Sequence, residues 1–208
     1  MGGMALLREP DVLEPHLADP LDVRWSPRAF DDQHELDPSQ LHLLLEAARW
    51  APSSGNSQPW SFIVGLRGDE TFDAFYEHLS RGNKAWAHRA SALLIAIRQT
   101  ESGPDHELPW AGYSQYDLGQ AAAHLTVQAH ALGLHVHQFA GFDHEAVQER
   151  FGVPPHWAVT TGIAVGVPAS PEVLDERTRE KELAPRTRRP LRDFVFTGEW
   201  GQTPIDFG

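Results

Sequence analysis

The chain contains no cysteine. Disulfides, thiolate nucleophiles and cysteine-held zinc or iron–sulfur centres are thereby excluded. Positive charge is also scarce: 17 Lys and Arg stand against 29 Asp and Glu, a formal net charge of -12. So acidic a chain offers no broad basic face to a nucleic acid, whose backbone is held by clustered cations. Long hydrophobic runs are missing as well, and nothing approaches the ~18 apolar residues that cross a bilayer. The opening MGGMALLREP is too short and too poor in positive charge for a signal peptide, and lacks the Ser or Thr that myristoylation needs after Gly2. The expectation is a soluble cytoplasmic protein with neither a membrane nor a nucleic-acid partner. Several signatures are absent too. No GxGxxG follows a strand-like segment, and there is no GxxxxGK[ST], GxSxG or HExxH.

What is present reads as an ordinary globular chain of 208 residues, 41% hydrophobic and 22% charged. Segment 36–50 has helical spacing: Leu41, Leu44, Leu45 and Ala48 share a face, Asp37 and Gln40 form a capping box, and Pro38 fits the first turn. WSFIVGL (60–66) reads as a strand and 69–80 as a helix. SALLIAIR (91–98) is a continuous apolar run, expected of a central strand covered on both faces. Residues 100–113 form a long loop of the kind that often serves as a lid. A helix follows, with Ser114 and Asp117 as its expected capping box, a stripe of Leu118, Ala121, Ala122, Leu125, Ala129 and Leu132, and Gly133 as its stop. Strands are expected at 134–141 and 157–166, a helix at 143–152 and a short one near 172–183. Helices and strands intersperse without βαβ spacing, which points to an α+β fold. The aromatic-rich tail beyond 190 needs a surface to pack on.

Two basic islands interrupt the acidic chain: RWSPR (24–28) and PRTRRPLR (185–192). In an extended segment Arg24, Ser26 and Arg28 point to one side, and two guanidinium forks with a hydroxyl suit an anionic oxygen cluster. Pairing with Asp22, Asp31 or Asp32 is the competing expectation. The islands can serve one phosphate only if the fold brings them together. His135 and His137 share a strand face, but a metal site needs a further ligand that no motif supplies. Ser53 and Ser54 in APSSGNSQPW have no local base and suit hydrogen bonding better than attack. Trp50, Trp60, Trp86 and Trp157 are expected in the core or an interface, whereas Trp110 and Tyr113 lie in the lid, where they can stack on a substrate.

RWSPRAFDD, AARWAPSSGNSQPWSFIVG, GNKAW, DLGQAAAHLTVQAHALGL, FAGFDHEAVQERFGVP, GIAVGVP and RTRRPL follow one another in an order that resembles the FMN-dependent nitroreductase family, from about residue 22 to 201. The resemblance implies a nitroreductase-like α+β fold: a central, mainly antiparallel sheet flanked by helices, in an intertwined homodimer whose C-terminal extension wraps the partner. It divides the chain into an N-terminal arm (1–21) and one FMN-binding domain (22–208). FMN is the implied cofactor, at the subunit interface, with NAD(P)H as hydride donor.

The implied site follows residue by residue. Arg24, Trp25 and Ser26 hold the FMN phosphate and ribityl chain, Arg28 reaches the N1/O2 side of the ring, and Arg186 and Arg188 close on the phosphate. Asn83 binds the pyrimidine edge. Phe139, Ala140 and Gly141 mark the strand end at N5 and O4. Pro52, Ser53, Ser54 and Asn56 come from the other subunit and line the far side of the flavin. Some members carry a lysine where this chain has Trp86 and a glutamate where it has Ala140. The implied activity is ping-pong hydride transfer to a nitroaromatic, quinone or similar small acceptor. Specialised chemistry (dehalogenation, flavin breakdown, azoline dehydrogenation) or flavin binding without efficient turnover are the alternatives.

Overall fold

The computed structural model describes residues 17–104 and 106–204, with 203 and 204 as backbone only. Most of the expected N-terminal arm lies outside the described residues. Four strands form one antiparallel sheet in the order β1-β2-β4-β3: β1 Trp60–Leu66, β2 Ala92–Gln99, β3 His135–Phe139 and β4 Trp157–Gly166. β2 and β4 are the two inner strands, paired from Ala92↔Val165 to Gln99↔Trp157 with a register shift between Ala96 and Ile97. Side-chain alternation along β2 explains its unbroken apolarity. Leu93, Ile95 and Ile97 enter one core with Phe72, Phe75, Trp86 and Phe139. Ala92, Leu94 and Ala96 enter the other with Leu44, Leu118, Ala121 and Leu125. The mixed α+β architecture matches the expectation.

Helix α1 (Pro38–Arg49) has the expected capping box of Asp37 and Gln40. Helix α4 (Ser114–Ala131) buries its Leu/Ala stripe against the sheet. It ends in a Schellman-type cap: Gly133 takes φ 74°, its N–H donates to His130 O at 3.0 Å, and Leu134 N–H donates to Ala129 O at 2.9 Å.

The start of α4 differs from expectation. Ser114 and Asp117 make no capping box; Tyr113 occupies the cap position without a side-chain bond. Each side chain has a distant partner instead. Arg98 Nη1 donates to Ser114 Oγ at 3.3 Å, and the buried Asp117 accepts from the Ser54 N–H at 3.1 Å.

The helix expected over 69–80 is shorter and is followed by another. Helix α2 spans Glu70–Glu77 under an Asp69 cap, and α3 spans Arg81–Ala87 under a Ser80 cap. The break occurs because Ser80 N–H leaves the helical path to donate to Gly141 O at 2.8 Å. Helix α5 covers His144–Arg150, and the segment near 172–183 divides into a 3-10 turn (Pro171–Val173) and α6 (Glu176–Glu182). The tail holds a two-residue antiparallel pairing of β5 (Phe196–Thr197) with β6 (Thr203–Pro204).

Gly65 lies where α2 packs tightly on β1. A Cβ there would lie 2.4 Å from the backbone nitrogen of Phe72 in α2. Backbone cannot rotate aside, so Gly65→Ala is expected to cost about 1–3 kcal/mol or more, read as a lowered urea midpoint with an unchanged m-value.

Candidate functional site

The fold brings the two basic islands together. A cleft of about 660 Å³ is lined by Arg24, Trp25, Ser26 and Arg28 from one island and by Arg186, Thr187 and Arg188 from the other. Lys181 and Glu182 at the end of α6 complete the wall. Arg186 fastens the two segments: its Nη1 donates to Arg24 O and its Nη2 to Asp22 O. Glu182 fastens them again, accepting from the Trp25 indole N–H at 3.0 Å and from the Arg28 backbone N–H at 2.6 Å. Arg24 Nη2 donates to Ser26 Oγ at 3.1 Å.

The competing expectation, in which these arginines pair with nearby aspartates, is not what forms. Among the described residues Asp32 pairs with Arg89, and neither Arg24 nor Arg28 stands in an ion pair. Trp25 also lines the cleft, so the segment is not a simple alternation with its odd-numbered side facing away.

The electrostatics show what the cleft is suited to hold. Burial, then the charges of Arg188 and Arg186, lower the Arg24 pKa. Arg24 Nε is buried without a hydrogen-bond partner. Like charges held together around an orphaned donor are costly unless an anion joins them. A phosphate dianion, with several acceptor oxygens, matches this donor set.

Behind the cleft lie the two strand histidines. His135 packs on Trp25, ring centroids 4.4 Å apart, and on His130 at 4.9 Å. Burial, His130 and Arg24 lower its pKa, which keeps the ring neutral beside the arginines. His137 stacks on the fully buried Trp86 at 4.5 Å and bonds through Nδ1 to Pro27 O at 2.9 Å. No cluster of three or more His, Asp or Glu able to hold a metal occurs among the described residues.

The strand-end residues sit beside α3. Asn83 Nδ2 donates to Gly141 O at 3.0 Å. A Cβ on Gly141 would lie 2.8 Å from that nitrogen, so glycine permits the approach. Ala140 is exposed. The Phe139 side chain is in the core, edge-on to Trp86 at 5.7 Å, and cannot itself line the cleft.

The 52–56 group forms a separate constellation, and none of it lines the basic cleft. Gly55 and Asn56 take φ of 59° and 55°, and Gln58 takes 46°. Such values are costly for non-glycine residues and here are held by local bonds. Gln58 N–H donates to Ser53 Oγ at 2.9 Å, its side chain donates to Asn56 Oδ1 at 3.2 Å, and Asp117 accepts from Ser54 N–H. Trp110 from the expected lid lies directly over Gly55, where a Cβ would come within 2.6 Å of its Nε1. Tyr113 is exposed nearby in sequence. The lid is pinned at its root by Gln99, whose amide donates at 2.9 Å to both Glu101 O and His106 O.

Glu182 and Lys181 escaped sequence reasoning. ERTREKE is a charged run, and nothing in its spacing separates Glu182 from Glu176 or Glu180.

The family model for the Nitroreductase family matches residues 21–85 and 67–167. The chain belongs to the nitroreductase family. An uncharacterised 15.4 kDa protein from Mycolicibacterium smegmatis is 38% identical over 148 residues, 67% of this chain and 97% of that protein. The 5,6-dimethylbenzimidazole synthase of Rhodospirillum rubrum is 28% identical over 211 residues, 88% of this chain and 97% of the synthase. A solved structure described as an oxidoreductase containing FMN superposes with a TM-score of 0.82 at 35% identity, covering 90% of this chain and 94% of that one.

His137 yields a pH prediction. Burial holds its pKa down at about 4, against 6.5 for a free imidazole, while the Pro27 carbonyl opposes the shift. Between those values the unfolded chain binds a proton that the folded chain refuses. The contribution to stability is therefore complete above pH 6.5 and is lost as pH falls towards 4, by about 3 kcal/mol. Urea unfolding at pH 7 and pH 4.5 should show this decline, and His137→Gln should flatten most of it.

Proposed function

We propose that this chain is an FMN-dependent oxidoreductase that works as a cytoplasmic homodimer, takes hydride from NAD(P)H and passes it to a small acceptor such as a nitroaromatic or quinone. The observation that carries this reading is the convergence of Arg24, Ser26 and Arg28 with Arg186 and Arg188 around one cleft. Family membership and the similarity to an FMN-containing oxidoreductase support it. The residues fit the group: the orphaned Arg24 Nε and the mutually repelling guanidinia call for the dianion that FMN carries.

FMN, when bound, supplies a carrier that accepts a hydride from one ligand and delivers it to the next. The protein's own work is binding, orientation and electrostatics. Arg24, Ser26, Arg186 and Arg188 hold the phosphate. Arg28 presents positive charge on the cleft wall, which favours the anionic reduced ring. Asn83, fixed on Gly141 O, and the strand end at Ala140 offer polar groups to the ring edge. Neutral His135 and His137 add no charge that would compete. In this reading residues 22–208 act as one cofactor-binding unit.

The dimer supplies what one protomer keeps apart. Residues 52–56, with Trp110, complete the site from the second subunit. The exposed apolar groups support this. Trp50 is 73% exposed and Trp200 88%, and Leu43, Tyr116, Leu191 and Phe194 are exposed with them. Exposed aromatic and aliphatic groups gathered into a patch mark a surface suited to a partner. Trp110 and Tyr113 then face the acceptor.

A second reading takes reduced FMN itself as the substrate. The match to nearly the whole 5,6-dimethylbenzimidazole synthase supports it.

Anaerobic absorption spectra test both readings. A yellow protein whose flavin bands bleach with NADH or NADPH and recover with a nitroaromatic or quinone is expected. Irreversible loss of flavin absorbance in air favours the second reading, and a protein that takes up no FMN contradicts both. Arg24→Ala should weaken FMN binding ten- to hundredfold, the worth of a charged hydrogen bond, as read by flavin-fluorescence titration.

A further inference from the structure

Glu182 is an anion in an anion's place. The cleft wall holds Arg24, Arg28, Lys181, Arg186 and Arg188, and Glu182 is the one carboxylate among them. Both of its oxygens are engaged, one by the Trp25 indole N–H at 3.0 Å and the other by the Arg28 backbone N–H at 2.6 Å. These two donors flank Ser26 on the loop that lines the cleft. Fixed, neutral N–H donors beside guanidinium groups are what a phosphate recruits.

The helix does not explain why a carboxylate stands there. Glu182 is the last residue of α6, at the negative end of the helix dipole, where an anion is disfavoured. Residues 183–190 beyond it are exposed and lack regular structure, and Arg186 is the other side chain there that reaches the 22–28 loop. The two N–H donors of the loop hold the carboxylate in place.

We propose that Glu182 is an internal counter-anion that competes with the cofactor phosphate for this cleft and thereby sets how tightly FMN is held. The inference rests on the FMN reading given above. Without a ligand, Glu182 is the one negative charge on the cleft wall. When a phosphate dianion enters, the same carboxylate repels it and holds two of its donors. Unit charges a few ångströms apart in a half-solvated cleft change affinity by about tenfold or more. The chain therefore binds FMN loosely enough to exchange it, and loading loosens the tie between α6 and the 24–28 loop.

The test compares FMN with riboflavin, which has the same ring and no phosphate. Each is titrated by fluorescence quenching into the flavin-stripped full chain and into Glu182→Gln, which preserves shape and one acceptor oxygen. Glu182→Gln should bind FMN about tenfold tighter and riboflavin with unchanged affinity. Glu182→Asp, which keeps the charge, should remain within about threefold of the parent for FMN. Weaker or unchanged FMN binding in Glu182→Gln overturns the proposal. So does an equal change for both flavins, which would make Glu182 a prop for the loop alone. A Glu182→Asp variant as tight as Glu182→Gln also overturns it, since charge would then not be the cause. If the parent binds neither flavin, the cofactor reading itself fails and this inference with it.

Discussion

Arg186 and Glu182 reach back across more than 150 residues to grip the 22–28 segment. Everything at the basic cleft depends on that grip. Without it the chain has two short arginine-rich stretches, each able to remain a solvated loop. With it, guanidinium groups from both ends face one volume in a protein whose overall charge is strongly negative. Burial first, and then the charges of Arg188 and Arg186, disfavour the Arg24 cation and lower its pKa. The arrangement is favourable when an anion completes it, which is why the cleft reads as a binding site and not as surface.

The sheet makes the grip possible. β4 leads by way of Pro168, which bridges to Phe30, into the segment that carries α6 and the second island. Asp31 N–H donates to Val167 O and Ala169 N–H to Ala29 O, so the first island is bound to the end of β4 before the cleft begins. Phe30 is fully buried between them. On the other side of the loop, His137 of β3 bonds Pro27 O and stacks on Trp86. The 24–28 loop is thus backed by core on one side and closed by the C-terminal segment on the other.

Much of this was legible in the sequence where one local rule decided the outcome. The α1 capping box, the two-faced burial of β2 and the Gly133 stop follow from residue type and period. The islands were legible as chemistry but not as a site, because nothing local says that residue 186 meets residue 24. The failures share one cause: a distant partner outbid a local one. Asp117 left its expected cap for Ser54, and Ser80 broke a helix to reach Gly141. Glu182 was invisible because a helix full of charge hides the one charge that turns inward. The Phe139 ring fills the space over Gly162, where a Cβ would lie 2.4 Å away, a packing that no local rule announces.

In the proposed assembly both islands hold one phosphate while residues 52–56 serve the same flavin from a second chain. A crystal structure of the complex with FMN tests it most directly. Phosphate oxygens are expected within hydrogen-bonding distance of Arg24 and of Arg186 or Arg188, with Ser53–Asn56 of the partner subunit against the ring. A phosphate bound away from these arginines, or a ring lined by residues 52–56 of the same chain, would contradict it.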